Sequence, residues 1–264
     1  MTQINFPAFN RGQRLLRSSL AAIVLGLAGN ALISATLLAE DGSKILQDVD
    51  NIRAPSDNFM FHAKIAGNGQ QMMMDVRVHN RSDGLVQFRA PETIKDRKLL
   101  FIGRSMWTYI PGTRRPVRIS PQQQVLGSVS NAEVARVVFS DDYSVTATGA
   151  GEDAEAKKLA GAEGVLKLDL QSSGEGAAYS QITLFVGQAS HKPLKAVFMT
   201  SSGKAVKSLL FEGYAQVLGR SRPTRLIATD LLRDKAQTTL EYSGMENADT
   251  PSAWYNPDYL EKLQ

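Results

Sequence analysis

The sequence has no cysteine, and this absence removes several kinds of site at once. Disulfide bonds, thiolate metal ligands and a cysteine nucleophile are all excluded, and so is a lipid-anchored N-terminal cysteine. The fold must therefore be held by packing and hydrogen bonding. Because hydrophobic residues make up 43% of the 264 residues, the chain can bury a sizeable core.

Recognisable catalytic patterns are also missing. The chain has three histidines: His62, His79 and His191. No nucleophile elbow, glycine-rich phosphate loop or HExxH zinc pattern occurs. His62 and Asp75 could form a catalytic or metal pair, but a surface pair between neighbouring strands fits the register derived below better. Asp141 and Asp142 fit a turn better than a cation site. We expect neither an enzyme nor a metal site, and no cofactor.

Most of the net positive charge of the chain comes from its first residues. The formal net charge is +4, yet Arg11, Arg14 and Arg17 precede residue 40 and no acidic residue does. The remainder carries 27 basic and 26 acidic residues. A nearly neutral domain has no electrostatic basis for binding nucleic acid, so we expect no nucleic-acid partner.

Residues 1–39 predict a signal peptide. The three arginines are followed by an apolar run from Leu20 to Leu38, rich in small residues and interrupted by Asn30. Small-x-small cleavage candidates end at Ala31, Ala35 and Ala39. An uncleaved anchor is the alternative, because the run approaches the roughly 20 residues that span a bilayer. In both cases residues 40–264 form the exported domain.

A hairpin at residues 59–78 fixes the register of the first two strands. Asn68-Gly69 predicts a two-residue turn. One face then pairs Ile65 with Met72, Ala63 with Met74, Phe61 with Val76, and Phe59 with Val78. The other face pairs His62 with Asp75, Met60 with Arg77, and Lys64 with Met73. One side of this sheet is therefore apolar and the other polar.

Further strand-forming segments follow at short intervals. They are 85–88, 99–102, 106–110, 164–171, 179–187, 194–200, 206–217, 224–232 and 236–242. Nine to eleven antiparallel strands would build one strongly curved sheet or barrel. Helical spacing predicts an amphipathic helix ending near Arg53, a short helix at 131–138 and another from Pro257 to Leu263. Residues 149–164 are expected to be an exposed loop.

Two side-chain groups leave alternatives open. The consecutive methionines Met72 to Met74 suit an adaptable apolar cavity, although ordinary core packing explains Met72 and Met74 nearly as well. Arg114, Arg115 and Arg118 could grip phosphate headgroups or dock on an anionic partner. The alternative is a solvated loop between two strands.

An ordered series of motifs resembles a known family. The series comprises Trp107-Thr108-Tyr109-Ile110-Pro111, Arg114-Arg115, Arg118-Ile119-Ser120, Gly127-Ser128, Phe139-Ser140-Asp141-Asp142, Ala178-Tyr179-Ser180-Gln181-Ile182, Pro193-Leu194-Lys195 and the segment from Trp254 to Leu260. It is similar to the signature of outer-membrane lipoprotein-sorting proteins of the LolA-like superfamily. Gly187 departs from the family, which usually has an aspartate there, and Phe185 replaces a tryptophan.

The resemblance implies a mainly β (α+β) fold: an incomplete, strongly curved antiparallel β-barrel with helices covering its mouth. It also implies a periplasmic carrier that holds lipoprotein acyl chains or phospholipid and contacts inner- and outer-membrane components transiently. A periplasmic sensor or interaction module of the same fold is the alternative. The candidate lipid-binding residues are Phe59, Phe61, Met72, Met74, Phe88, Phe101, Trp107, Tyr109, Phe198 and Phe211.

Overall fold

The computed structural model describes residues 42–135, 138–174 and 177–263. The predicted signal peptide, residues 1–39, lies outside them. Helix α1 spans residues 42–53, as its helical spacing predicts, and buries Leu46 and Val49 while Ile45 and Ile52 are half-buried. Within the described ranges no helix combines the length and apolar character needed to cross a bilayer.

Antiparallel strands make up most of the rest. They are β1 Phe59–Gly67, β2 Gln70–His79, β3 Asp83–Ala90, β4 Lys98–Ile102, β5 Ser105–Tyr109, β6 Val117–Arg118, β7 Gln124–Leu126, β8 Val129–Ser130, β9 Tyr143–Ala150, β10 Val165–Ser172, β11 Gln181–Gly187, β12 Pro193–Met199, β13 Ala205–Glu212, β14 Ala215–Val217, β15 Arg220–Arg222, β16 Arg225–Asp230 and β17 Gln237–Asn247. Two further α-helices, α2 Asn131–Ala135 and α3 Ala154–Ala160, are short. Short 3-10 helices lie at Glu92–Ile94, Ser252–Trp254 and Pro257–Lys262.

Thirteen of these strands form one sheet. Its order is β6-β5-β4-β3-β2-β1-β17-β16-β13-β12-β11-β10-β9. Most neighbouring strands are consecutive in the chain. The first strand, β1, pairs with the last, β17, so that the N-terminal and C-terminal meanders form one sheet. It is strongly curved and does not close. The predicted fold class, an incomplete and mainly β barrel, is confirmed.

The predicted hairpin register is also confirmed. Asn68 and Gly69 have φ angles of 51° and 72°, as a two-residue turn with both central residues in the left-handed region requires. Every predicted pair recurs, from Phe59 opposite Val78 to Ile65 opposite Met72. One turn therefore determines which side chains of β1 and β2 enter the core.

Other boundaries differ from the prediction. The single strand expected at 206–217 is two strands, because the chain turns at Gly213, where φ is 63°. Residues 149–164 are not simply a loop: they hold the end of β9 and helix α3, whose N-terminus is capped by the Asp153 carboxylate. The predicted helix at 131–138 is described as α2, Asn131–Ala135. The C-terminal turn is 3-10, with Asn256 as its cap.

The two faces of the sheet pack against different partners. The concave face holds the main core, which is covered by α1 and by residues 119–135 and 138–143. We call these covering elements, α1 included, the roof. The convex face carries a smaller cluster beneath the C-terminal segment 251–263, including Leu100 and Leu260. Side chains alternate between the two faces along each strand.

Replacing Gly69 by alanine tests the turn. Because φ is 72° there, a Cβ atom strains the backbone even though nothing lies within 4 Å of it. We expect Gly69→Ala to lower the free energy of unfolding by about 1 kcal/mol in urea denaturation. Gly149→Ala is the control, since Gly149 has open space and lies in strand β9; it should not destabilise the protein. Equal losses in both variants would contradict the turn assignment.

Candidate functional site

Eight of the ten predicted lipid-binding residues lie on the concave face. Seven are buried in the main core and one, Met72, packs at its margin. The seven are Phe59, Phe61, Met74, Phe88, Phe101, Phe198 and Phe211. The structure therefore brings together residues that are up to 152 positions apart in the sequence. Their shared surface is continuous and apolar.

Trp107 and Tyr109 do not join them. They belong to the convex cluster, where they pack near Tyr255 and Leu260 of the C-terminal segment. The cause is the alternation of side chains along β5, which turns Met106 into the concave core and Trp107 and Tyr109 to the opposite face. These two candidate lipid-binding residues are therefore separated by the sheet from the other eight.

The roof fills most of the concave face. A small cavity of about 40 Å³ lies under it, with Phe139, Phe198 and Leu209 among its walls. That volume suits a few water molecules and not an alkyl chain, given that each water needs roughly 10–15 Å³ by this measure. The expected open apolar cavity is thus occupied by the protein's own α1 and roof side chains.

A second, larger space opens where the roof meets β2 to β5. This roof groove has a volume of about 160 Å³. Its apolar lining comprises Met72, Phe88, Ile94, Leu99, Ile110, Ile119 and Val125. Arg97 also lines it, and its buried Nε has no hydrogen-bond partner among the described residues. A cavity of about this size in a protein core holds a benzene-sized molecule. The roof groove is therefore large enough to admit an apolar group.

Buried charges connect the roof to the sheet. Glu133 of α2 accepts a hydrogen bond from Lys207 of β13 at 3.1 Å, with side-chain exposures of only 4% and 9%. The Tyr179 hydroxyl donates to the other Glu133 oxygen at 3.0 Å. Burial, reinforced by the Glu133 charge, raises the pKa of Tyr179. The carboxylate is thus held by donors from two separate parts of the chain.

Helix α1 is tied to the rest of the roof by Asp50. Its carboxylate accepts hydrogen bonds from the backbone N–H groups of Phe139 at 2.7 Å and Ser140 at 2.9 Å. Burial raises the pKa of Asp50, and these two hydrogen bonds only partly oppose that rise. Arg222 then donates to the terminal carbonyls of α1, at 2.8 Å to Asn51. A few polar contacts therefore fix a helix that is otherwise held by packing.

Arg53 at the end of α1 is a buried cation among aromatic rings. Its guanidinium lies 4.3 Å from the Phe139 ring centroid and 5.5 Å from that of Phe211. Burial lowers its pKa, while nearby Tyr242 and Asp50 oppose the change. The sequence pattern did not single out Arg53, Asp50 or Glu133, since each depends on contacts distant in the chain.

The arginine cluster occupies the loop between β5 and β6, at one edge of the sheet. Arg114 and Arg115 are exposed there, and Ile110 and Val117 beside them are also exposed. Arg118 instead donates to the Ser105 hydroxyl at 2.7 Å. The structure therefore separates the three arginines into two solvent-directed side chains and one engaged locally.

The His62–Asp75 pair lies on the convex face, as the register predicts. The His62 Nδ1 atom is 2.7 Å from an Asp75 oxygen, and the His62 side chain is 55% exposed. Arg89 donates to the second Asp75 oxygen at 2.7 Å. Nowhere in the described ranges do three or more histidine or acidic residues cluster as they would around a metal ion.

Comparison with known proteins identifies the family. A model for a family described as "Uncharacterized protein" matches residues 80–262. A LolA superfamily protein from Nitrosomonas europaea is 28% identical and superposes with a TM-score of 0.73, over 83% of this chain and 98% of its own. The chain belongs to the LolA-like superfamily.

Two further structures share the LolA-like fold. A DUF1329 family protein from Desulfovibrio piger has a TM-score of 0.66 at 17% identity, over 84% of this chain and 99% of its own. A domain from Vibrio parahaemolyticus named for outer membrane lipoprotein sorting has a TM-score of 0.66 at 18% identity, with the same coverage. No curated protein sequence matches the chain.

The buried Glu133–Lys207 pair should matter for stability. Lys207→Met leaves the buried Glu133 carboxylate without its counter-ion, so we expect a loss of about 3 kcal/mol in the free energy of unfolding. Lys157→Met is the matched control, because Lys157 pairs with Glu152 in solvent, with side-chain exposures of 51% and 78%. Urea denaturation measures both. Similar small losses in the two variants would contradict a structural role for the buried pair.

Asp75 makes a pH-dependent contribution to the stability of the fold. Burial alone raises the pKa of Asp75, but hydrogen bonds from His62 and Arg89 outweigh it and hold the pKa below its ordinary 3.8. The stabilisation is thus present above pH 3.8 and lost as the pH falls through the lowered value. We expect Asp75→Asn to be less stable than the parent protein at pH 7, with the difference shrinking below about pH 4. Denaturation at several pH values checks this, and a constant difference would contradict it.

Proposed function

We propose that this chain is a periplasmic carrier that binds the acyl chains of lipoproteins or lipids between its concave sheet and its roof, for sorting to the outer membrane. The observation that carries the proposal is the roof groove, a space of about 160 Å³ that has apolar side chains along part of its lining and lies at the margin of a large buried apolar surface. Membership of a lipoprotein-sorting superfamily supports it. The signal-like composition of residues 1–39 supports the periplasmic location.

Binding energy for such a ligand comes from apolar burial. Each methylene transferred from water contributes about 0.8 kcal/mol, so roughly ten buried methylenes contribute about 8 kcal/mol, which corresponds to micromolar affinity. The net binding free energy is smaller, because opening the roof breaks contacts within the protein. Because the roof groove is already open, an acyl chain enters there first and displaces roof side chains as it advances. No catalytic group is needed, and we propose binding rather than catalysis.

Arg97 gives this groove a polar feature. Its buried Nε lies at the lining and has no partner among the described residues. An ester or carboxylate oxygen at the head of an acyl chain would supply the missing acceptor, since a guanidinium binds such oxygens well. The tail then lies along Met72, Phe88 and Leu99. The ligand would therefore be amphipathic, with its oxygens near Arg97.

Adjacent methionines on β2 allow a matched test. Met72 lines the roof groove, whereas Met73 is on the opposite face and 48% exposed. We expect Met72→Glu to weaken binding of a fluorescent fatty acid at least tenfold, because a carboxylate is costly beside an alkyl chain. Met73→Glu should bind like the parent protein. Equal affinity of both variants and the parent would refute binding in this groove, provided circular dichroism shows both variants folded.

The bound ligand can be identified directly on the purified protein. Native mass spectrometry of protein isolated gently from the periplasm should show a bound species with the mass of a phospholipid or a lipidated peptide. Releasing the ligand with organic solvent then identifies it. A chain that copurifies only with another protein, and binds no fatty acid or lipidated peptide in vitro, would favour an interaction module instead.

A further inference from the structure

A separate groove lies on the convex face, where the C-terminal segment packs over β2, β3 and β4. It has a volume of about 360 Å³. Basic side chains from three places in the chain line it: Arg77 of β2, Lys98 of β4 and Lys262 of the last 3-10 helix. Trp254 and Tyr259 supply aromatic walls. We call this space the cationic groove.

Each of these three cations lies near an aromatic ring. The distances to the ring centroids are 5.8 Å from Arg77 to Trp254, 5.1 Å from Lys98 to Tyr109, and 5.6 Å from Lys262 to Tyr259. None of the three side chains makes a hydrogen bond or ion pair within the described part of the chain. Arg89, which also lines the groove, differs because Asp75 neutralises it at 2.7 Å.

Lys98 is the most unusual of the three. The residue is only 4% exposed, and buried lysines normally have a counter-ion. Asp96, whose charge acts on Lys98, forms no ion pair with it and accepts a hydrogen bond from Gln87 at 3.2 Å. Burial, together with the charge of Arg89, lowers the pKa of Lys98 against the opposing effect of Asp96. A bound anion would supply the counter-charge that the fold leaves out.

The surrounding sequence strengthens the positive field. Residues 97–132 contain six basic residues and no acidic residue. These residues include β4, β5 and β6, which form one end of the sheet. A local excess of one sign concentrates counter-ions of the other. The charge near the groove therefore favours an anion before any direct contact is made.

We propose that the cationic groove binds a phosphate ester, with its oxygens at Lys98, Arg77 and Lys262 and its carbon skeleton against Trp254. Phosphate suits three converging donors because it offers several strong acceptor oxygens and up to two charges. The ester belongs either to a lipid headgroup or to a soluble molecule. This site is distinct from the acyl site, because β4 directs Lys98 to one face and Leu99 to the other.

Calorimetric titration with inorganic phosphate and glycerol 3-phosphate tests the site. The parent protein should bind at least the ester saturably. Lys98→Met and Lys262→Gln should each weaken binding about tenfold, the effect of losing one hydrogen bond from a charged group. Lys204→Met, at an exposed turn between β12 and β13, is the control and should bind like the parent. Lys262 is exposed, so its variant remains informative even if Lys98→Met fails to fold.

Vesicles distinguish the source of the phosphate. Binding to phosphatidylglycerol vesicles but not phosphatidylcholine vesicles, with competition by glycerol 3-phosphate, identifies an anionic lipid headgroup. Binding of the soluble ester alone identifies a soluble ligand. The proposal is overturned if neither the esters nor the vesicles bind, or if Lys98→Met and Lys262→Gln both bind like the parent protein.

Discussion

The whole structure depends on covering the apolar concave face of one large sheet. Thirteen antiparallel strands expose a surface that includes Phe59, Phe61 and Phe211, and water cannot be left in contact with it. The covering elements are few: helix α1 of residues 42–53 and the remainder of the roof. Because these elements are short, their position is fixed by a small number of buried polar contacts, among them those of Asp50 and Glu133. The roof therefore excludes water from the concave face through packing and a few polar contacts, which can be broken and formed again.

Strand alternation gives the two faces different chemistry. On β2, Met72 faces the roof groove and Met73 faces solvent; on β4, Leu99 faces the roof groove and Lys98 the cationic groove. A single sheet thereby presents an apolar site and a positively charged site on opposite sides. The C-terminal segment is needed only for the second, since it supplies Trp254 and Lys262. The two proposed sites can consequently be altered independently.

Local signals in the sequence predicted a good part of this fold. Asn68-Gly69 set the register of β1 and β2, and helical spacing identified α1. Helix α3 was missed because residues 149–164 are rich in small and charged side chains, which are typical of loops. Strand β9, Tyr143–Ala150, was not predicted either. The break at Gly213 was missed because strand-forming residues continue on both sides of it.

The site was harder to predict than the sheet. Large apolar residues that meet on one face were recognisable, but the sequence did not show that Trp107 and Tyr109 lie on the other face, because the orientation of β5 could not be deduced without its neighbours. The buried contacts described for Arg53, Asp50 and Glu133 join residues 46 to 158 positions apart, and no local pattern encodes them. Gly187 stands where the resembled family usually has an aspartate. The carboxylate of Glu163, distant in the sequence, lies against Gly187 and accepts a hydrogen bond from the Ser190 hydroxyl at 2.8 Å.

The central claim is that the roof occupies the place that an acyl chain takes. Hydrogen exchange of the α1 amides, measured with and without a lipidated peptide, tests it most directly. The account predicts faster exchange in residues 42–53 when the ligand is bound, while strands β1 and β17 stay protected. Unchanged protection of α1 at saturating ligand would contradict it.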